Sequence, residues 1–114
     1  MKAVLQKNNI VFSEHVVVAK TFAKRLVGLM FQSHLPEQEA LLIKPCKSIH
    51  TFFMQFSIDV LFLSADHEII DFIKAMPPYR LSPYQKHAAS VLEVPAGLID
   101  RFDIQRHDVV RFEA

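Results

Sequence analysis

Glycine is scarce in this chain, with two in 114 residues. Phosphate-cradling loops, dinucleotide fingerprints and nucleophile elbows all need several glycines at fixed spacing, so these are excluded. Cysteine is scarcer still. Cys46 stands alone, which rules out an intramolecular disulfide and any zinc site built on paired cysteines. The histidines are scattered with no H-x-x-x-H pair, so no metal and no cofactor is expected. Neither charge sign is in excess. Thirteen Lys and Arg face twelve Asp and Glu, for a net charge of +1. That balance offers no reason to expect nucleic acid as a partner. Apolar runs are short, as in Val60-Leu61-Phe62-Leu63, against the roughly 20 residues that span a bilayer. Lys2 to Asn9 lacks the apolar core of a signal peptide. The expectation is a cytoplasmic protein with no membrane partner.

What the chain does have is apolar material. Hydrophobic residues make up 51% of it, and ten are Phe. Each buried Phe or Leu is worth roughly 1.5–3 kcal/mol. That supports one packed domain over residues 1–114, with no repeat or linker.

The pattern predicts mostly short strands. Val4 to Val18 reads as two or three of them, with a turn at Lys7-Asn8-Asn9, where Asn tolerates left-handed backbone. Thr21 to Phe31 reads as a helix capped by Thr21. Its apolar face is Phe22, Leu26, Leu29 and Met30. Further strands are expected at Ala40–Ile43, Ile49–Met54, Ile58–Leu63, Glu68–Ala75, Val91–Val94 and Val109–Phe112. Met76 to His87 is a proline-rich loop, long enough to suggest a functional role. The fold class is α+β but predominantly β. It is expected to be a small antiparallel barrel- or sandwich-like domain with one early helix.

Polar residues inside apolar strands mark the candidate sites. His50 and Asp59 interrupt such strands, and an unpartnered buried polar group costs roughly 1–3 kcal/mol. One reading joins Cys46, His50 and Asp59 as nucleophile, base and orienting acid of a small cysteine-dependent hydrolase or transferase. The plainer one makes Cys46 a buried hydrophobe and lets His50 and Asp59 satisfy backbone groups. Phe52 and Phe53 would face opposite sides of a strand, so one of them needs cover beyond the core. Glu93 reads as outward-facing between Leu92 and Val94, with Arg25, Arg80 or Arg101 as its partner. Tyr79, Arg80 and Tyr84 offer aromatic and cationic surface for a small anionic or sugar-like ligand.

Three motifs in order resemble a known family. Thr21 followed by Arg25-Leu26-Val27-Gly28-Leu29-Met30 is one. Ser48-Ile49-His50-Thr51-Phe52-Phe53-Met54 with Ile58-Asp59-Val60-Leu61-Phe62-Leu63 is the second. Leu92-Glu93-Val94-Pro95-Ala96-Gly97 is the third. Over residues 15–112 the chain resembles the domain of unknown function 192 family, in a variant without the Trp of the commoner central segment. The resemblance implies a small barrel-like β fold with an early helix. By analogy it directs attention to Arg25, His50, Asp59, Glu93 and Gly97. The expected function is a ligand- or partner-binding accessory module, with Phe52 among its site residues.

Overall fold

The computed structural model describes residues 1–19 and 34–114. Along them run β1 (Lys2–Leu5), β2 (Ile10–Ser13), β3 (His15–Ala19), β4 (Glu39–Ile43), β5 (Ile58–Leu63), β6 (Ile69–Met76), β7 (Ser90–Pro95), α1 (Leu98–Arg101) and β8 (Val110–Glu113). The expected helix at Thr21–Phe31, with Arg25 and Gly28, lies outside the described residues. None of the described helices is long and apolar enough to cross a membrane.

The β1–β2 turn forms at the expected asparagines. Asn9 sits at φ 59°, and Asn8 Oδ1 accepts the Ile10 N–H at 3.1 Å. β8 returns to pair with β1, giving a three-stranded sheet of order β2-β1-β8. The second sheet has order β3-β4-β7-β5-β6. The architecture is thus mostly β, with two sheets and no closed barrel among the described residues. One pairing departs from the antiparallel expectation. β3 and β4 run parallel, in register from His15↔Glu39 to Ala19↔Ile43. Parallel neighbours need a long crossover, which the connection from Ala19 to Glu39 provides.

Strand alternation sorts the core into two clusters. Leu61 and Leu63 of β5 meet Leu92 and Val94 of β7, Leu5 and Phe12 of the small sheet, and Ile99 of α1. Val60 and Phe62 point the other way. They meet Ile43 and Val91, and also Ile49, Met54 and Ala88 from the connections β4–β5 and β6–β7. Every residue of β5 is buried as a result.

Two expectations fail here. Glu93 does not face solvent: β7 lies between β4 and β5, both its faces are covered, and Glu93 is 0% exposed. Ile49 to Met54 is not a strand. Only His50 makes a β-bridge, and the chain then turns, with Met54 N–H donating to Thr51 O at 3.2 Å.

β6 forms an outer edge of the larger sheet and carries a charged cluster. Asp71 accepts from the Phe72 N–H at 2.8 Å, Gln85 Nε2 at 3.0 Å and Arg106 Nη2 at 2.9 Å. Partial burial pulls its carboxyl upward. The bonds from Phe72, Arg106 and Gln85 outweigh that and hold it below its ordinary value. A depressed folded pKa contributes stability above the unfolded value, near pH ~4, and that contribution is lost as pH falls through the folded value. Asp71→Asn is therefore expected to flatten the acid limb of a plot of unfolding midpoint against pH. An acid limb identical to that of the parent protein would contradict this assignment.

Candidate functional site

The connections 44–57 and 77–89 lie side by side as an irregular antiparallel ribbon that roofs the second core. Lys47 O accepts the Gln85 N–H at 2.7 Å, and Ile49 O accepts the Ser82 N–H at 2.9 Å. His50 bridges Leu81. Thr51 N–H donates to Arg80 O at 2.9 Å, and Thr51 O accepts the Tyr79 N–H at 2.9 Å.

Thr51 is the knot in this ribbon. Its side chain is fully buried, and its hydroxyl donates to Pro77 O at 2.6 Å while accepting the Arg80 N–H at 3.0 Å. Ser82 does a similar service, its hydroxyl accepting the Ile49 N–H at 2.9 Å and donating to Pro83 O at 3.1 Å. Loop backbone that covers a core must have its polar groups satisfied, and these two hydroxyls supply what a regular ladder would.

With Ile49, Thr51 and Ser82 turned inward, the large side chains between them turn outward. Leu81 is 69% exposed, Tyr84 68%, Tyr79 59%, Phe53 56% and Phe52 38%. The expectation that Phe52 and Phe53 occupy opposite faces fails because they sit in a turn, and both reach the surface. The rings are ordered against one another. His50 stacks on Phe52 at 4.9 Å and accepts the Phe52 N–H at Nδ1 (3.3 Å). Phe53 meets Tyr79 edge-on at 6.0 Å. Phe53 and Tyr79 also have left-handed backbone, with φ 67° and 61°. Bulky side chains seldom adopt that region, and each such residue costs about 1 kcal/mol or more.

The remaining sequence candidates lie elsewhere. Asp59, 1% exposed, accepts three backbone N–H groups: Ala75 at 2.7 Å on Oδ1, with Gly97 at 3.1 Å and Ile99 at 2.9 Å on Oδ2. It therefore ties β5 to the end of β6 and to the start of α1. Gly97 takes φ 92°, a conformation suited to glycine, and helps line a surface cavity of about 130 Å³ with Glu37, Pro95 and Arg101. Glu93 is held in the second core by a polar or ionic interaction. Cys46 is buried in the same core, and its Sγ–H donates to Ser48 O at 3.0 Å. Arg25 lies outside the described residues. The structure thus brings His50 and Phe52 together with Phe53 and Tyr79, and sets Asp59 and Gly97 at a separate junction. Thr51 and Leu81 were missed by sequence reasoning. A hydroxyl amid apolar residues at Thr51 was the available signal.

A mostly β domain of two sheets, with one sheet face roofed by a pinned loop ribbon, is the class this geometry defines. The chain belongs to the domain of unknown function 192 family (DUF192, an uncharacterised ACR), whose model matches residues 3–112. A UPF0127 protein of Thermococcus gammatolerans is 33% identical over 108 residues, covering 90% of this chain and 69% of its own length. One from Pyrococcus horikoshii is 31% identical over 112 residues, covering 94% and 95%. Two crystal structures share the fold. A protein of unknown function from Novosphingobium aromaticivorans has a TM-score of 0.80 at 23% identity, covering 97% of this chain and 82% of that one. A putative transcription regulator from Sinorhizobium meliloti has 0.79 at 18%, covering 96% and 89%. At those identities the likeness establishes the fold alone.

The Asp59 junction makes a measurable claim. Asp59→Ala orphans three buried or half-buried N–H groups and should lower the unfolding free energy by about 3 kcal/mol in urea titrations. A loss below about 1 kcal/mol would show that the carboxylate does not hold this junction together.

Proposed function

We propose that the protein is a binding module and that the outward side of the ribbon is its recognition surface. The observation that carries this is the exposure of Phe52, Phe53, Tyr79, Leu81 and Tyr84 on two connections joined by the hydrogen bonds of Thr51 and Ser82. Large apolar side chains exposed together are unfavourable unless something covers them. Aromatic side chains that are already ordered lose little entropy on binding, which is why they dominate interface hot spots. His50 belongs to this surface through its stack on Phe52.

The left-handed backbone at Phe53 and Tyr79 supports the same reading. Glycine would fit both positions without a Cβ penalty. Aromatic residues there are retained at a cost in stability, which is characteristic of residues kept for contact.

The double variant Phe53→Gly with Tyr79→Gly separates stability from binding. It should unfold no more easily than the parent, with a gain of up to about 1 kcal/mol per site. Peptides selected by display on the native protein should bind it roughly tenfold more weakly or worse. Equal binding to parent and variant would remove the ribbon from consideration. A cooperative loss of stability would instead assign the two rings to the core.

A further inference from the structure

The ion pairs of this chain are distributed unevenly. Among the described residues, Lys2, Lys7, Lys74, Arg101, Arg106 and Arg111 each face a carboxylate: Glu14, Asp108, Asp100, Glu37, Asp71 and Glu113 respectively. The described Lys and Arg left without one are Lys44, Lys47, Arg80 and Lys86. All four lie on the two connections that form the ribbon, and all four are exposed. Every Asp and Glu of the chain lies outside those connections. Asp71 reaches them through Gln85, but Arg106 already neutralises it.

These cations share the two connections with the exposed rings. Arg80 stands between Tyr79 and Leu81, with its backbone tied to Thr51. Lys47 Nζ donates to the carbonyls of Lys86 at 2.9 Å and Ala88 at 2.7 Å, so its charge is held at the root of the ribbon with no carboxylate partner among the described residues. Exposed aromatics beside unpaired cations leave two requirements unmet, apolar cover and negative charge.

We infer that the occupant of the ribbon is an acidic protein segment that also carries apolar side chains. The inference rests on the binding reading above and adds the chemistry of the partner. Its carboxylates pair with Arg80, Lys47 and Lys86, and its apolar side chains cover Phe53, Tyr79 and Leu81. A nucleic acid fits less well. Its affinity grows with the number of phosphates neutralised, and here four cations adjoin a surface that carries all the carboxylates of the protein. Leu81, the most exposed of the apolar side chains, offers no face for a base to stack on.

The test selects random displayed peptides on the native protein, then measures the recovered peptides on three variants and across a salt series. The inference predicts sequences rich in Asp and Glu next to Leu or aromatic residues. Their affinity should fall as salt rises, drop roughly tenfold or more in Arg80→Glu, and stay unchanged in Lys74→Glu, a paired cation away from the ribbon. Neutral or basic peptides indifferent to salt would overturn the partner chemistry and leave the ribbon reading standing. Peptides that bind the Phe53→Gly, Tyr79→Gly protein as well as the parent would overturn both. An oligothymidylate that binds more tightly than the acidic peptides, and is lost in Arg80→Glu, would replace the protein partner with a nucleic acid.

Discussion

The five-stranded sheet has two apolar faces, and the need to cover the second one organises much of the molecule. The three-stranded sheet and α1 cover the first face through Leu5, Phe12 and Ile99. No further strand or helix among the described residues lies over the second. It is closed by irregular backbone, from which Ile49, Met54, Cys46 and Ala88 descend onto Val60, Phe62 and Val91. A roof of loops has no hydrogen-bond ladder of its own, so its amides and carbonyls need other partners. Thr51 and Ser82 provide them from inside the roof. Once those hydroxyls are committed inward, the intervening side chains have only the outward direction left. The exposed aromatic surface is thus a geometric consequence of how the core is closed. Its composition, aromatic and cationic with no acid, is not dictated by that geometry.

Polar groups set in apolar strands have separate roles here. Asp59 holds backbone at the junction of β5, β6 and α1. Its three bonds are of the charge-assisted kind, stronger than neutral ones. Cys46 is core material with its thiol hydrogen on a carbonyl. His50 alone of the three stands at the aromatic surface. The described bonds of these three groups lead to three different places.

Much of the fold was legible in the sequence. The continuous apolar run Val60-Leu61-Phe62-Leu63 and the asparagine turn before Ile10 identify β5 and the first hairpin from local chemistry alone. The family followed from motifs around Ser48–Met54 and Leu92–Gly97. What was not legible depends on contacts distant in the chain. Ile49 to Met54 has the composition of a strand, but Thr51 bonds Pro77 and Arg80, some thirty residues away, and the segment turns instead. Glu93 reads as outward-facing because alternation assumes one wet face. β7 is central and has none, and its near-continuous apolar run was the available clue. The parallel pairing of β3 with β4 depends on the path of the connection between them, which strand patterns do not encode.

The central claim is that Thr51 pins the roof and so makes the ribbon rigid. Amide hydrogen exchange at Tyr79 and Arg80 tests it most directly, because the Tyr79 N–H donates to Thr51 O and the Arg80 N–H donates to its hydroxyl. In the native protein both amides should be protected to a degree approaching that of β5. In Thr51→Val the Arg80 amide should lose protection selectively while the amides of β5 keep theirs. If Tyr79 and Arg80 exchange at the rate of free loops in the native protein, the ribbon is not pinned and the account of its surface does not stand.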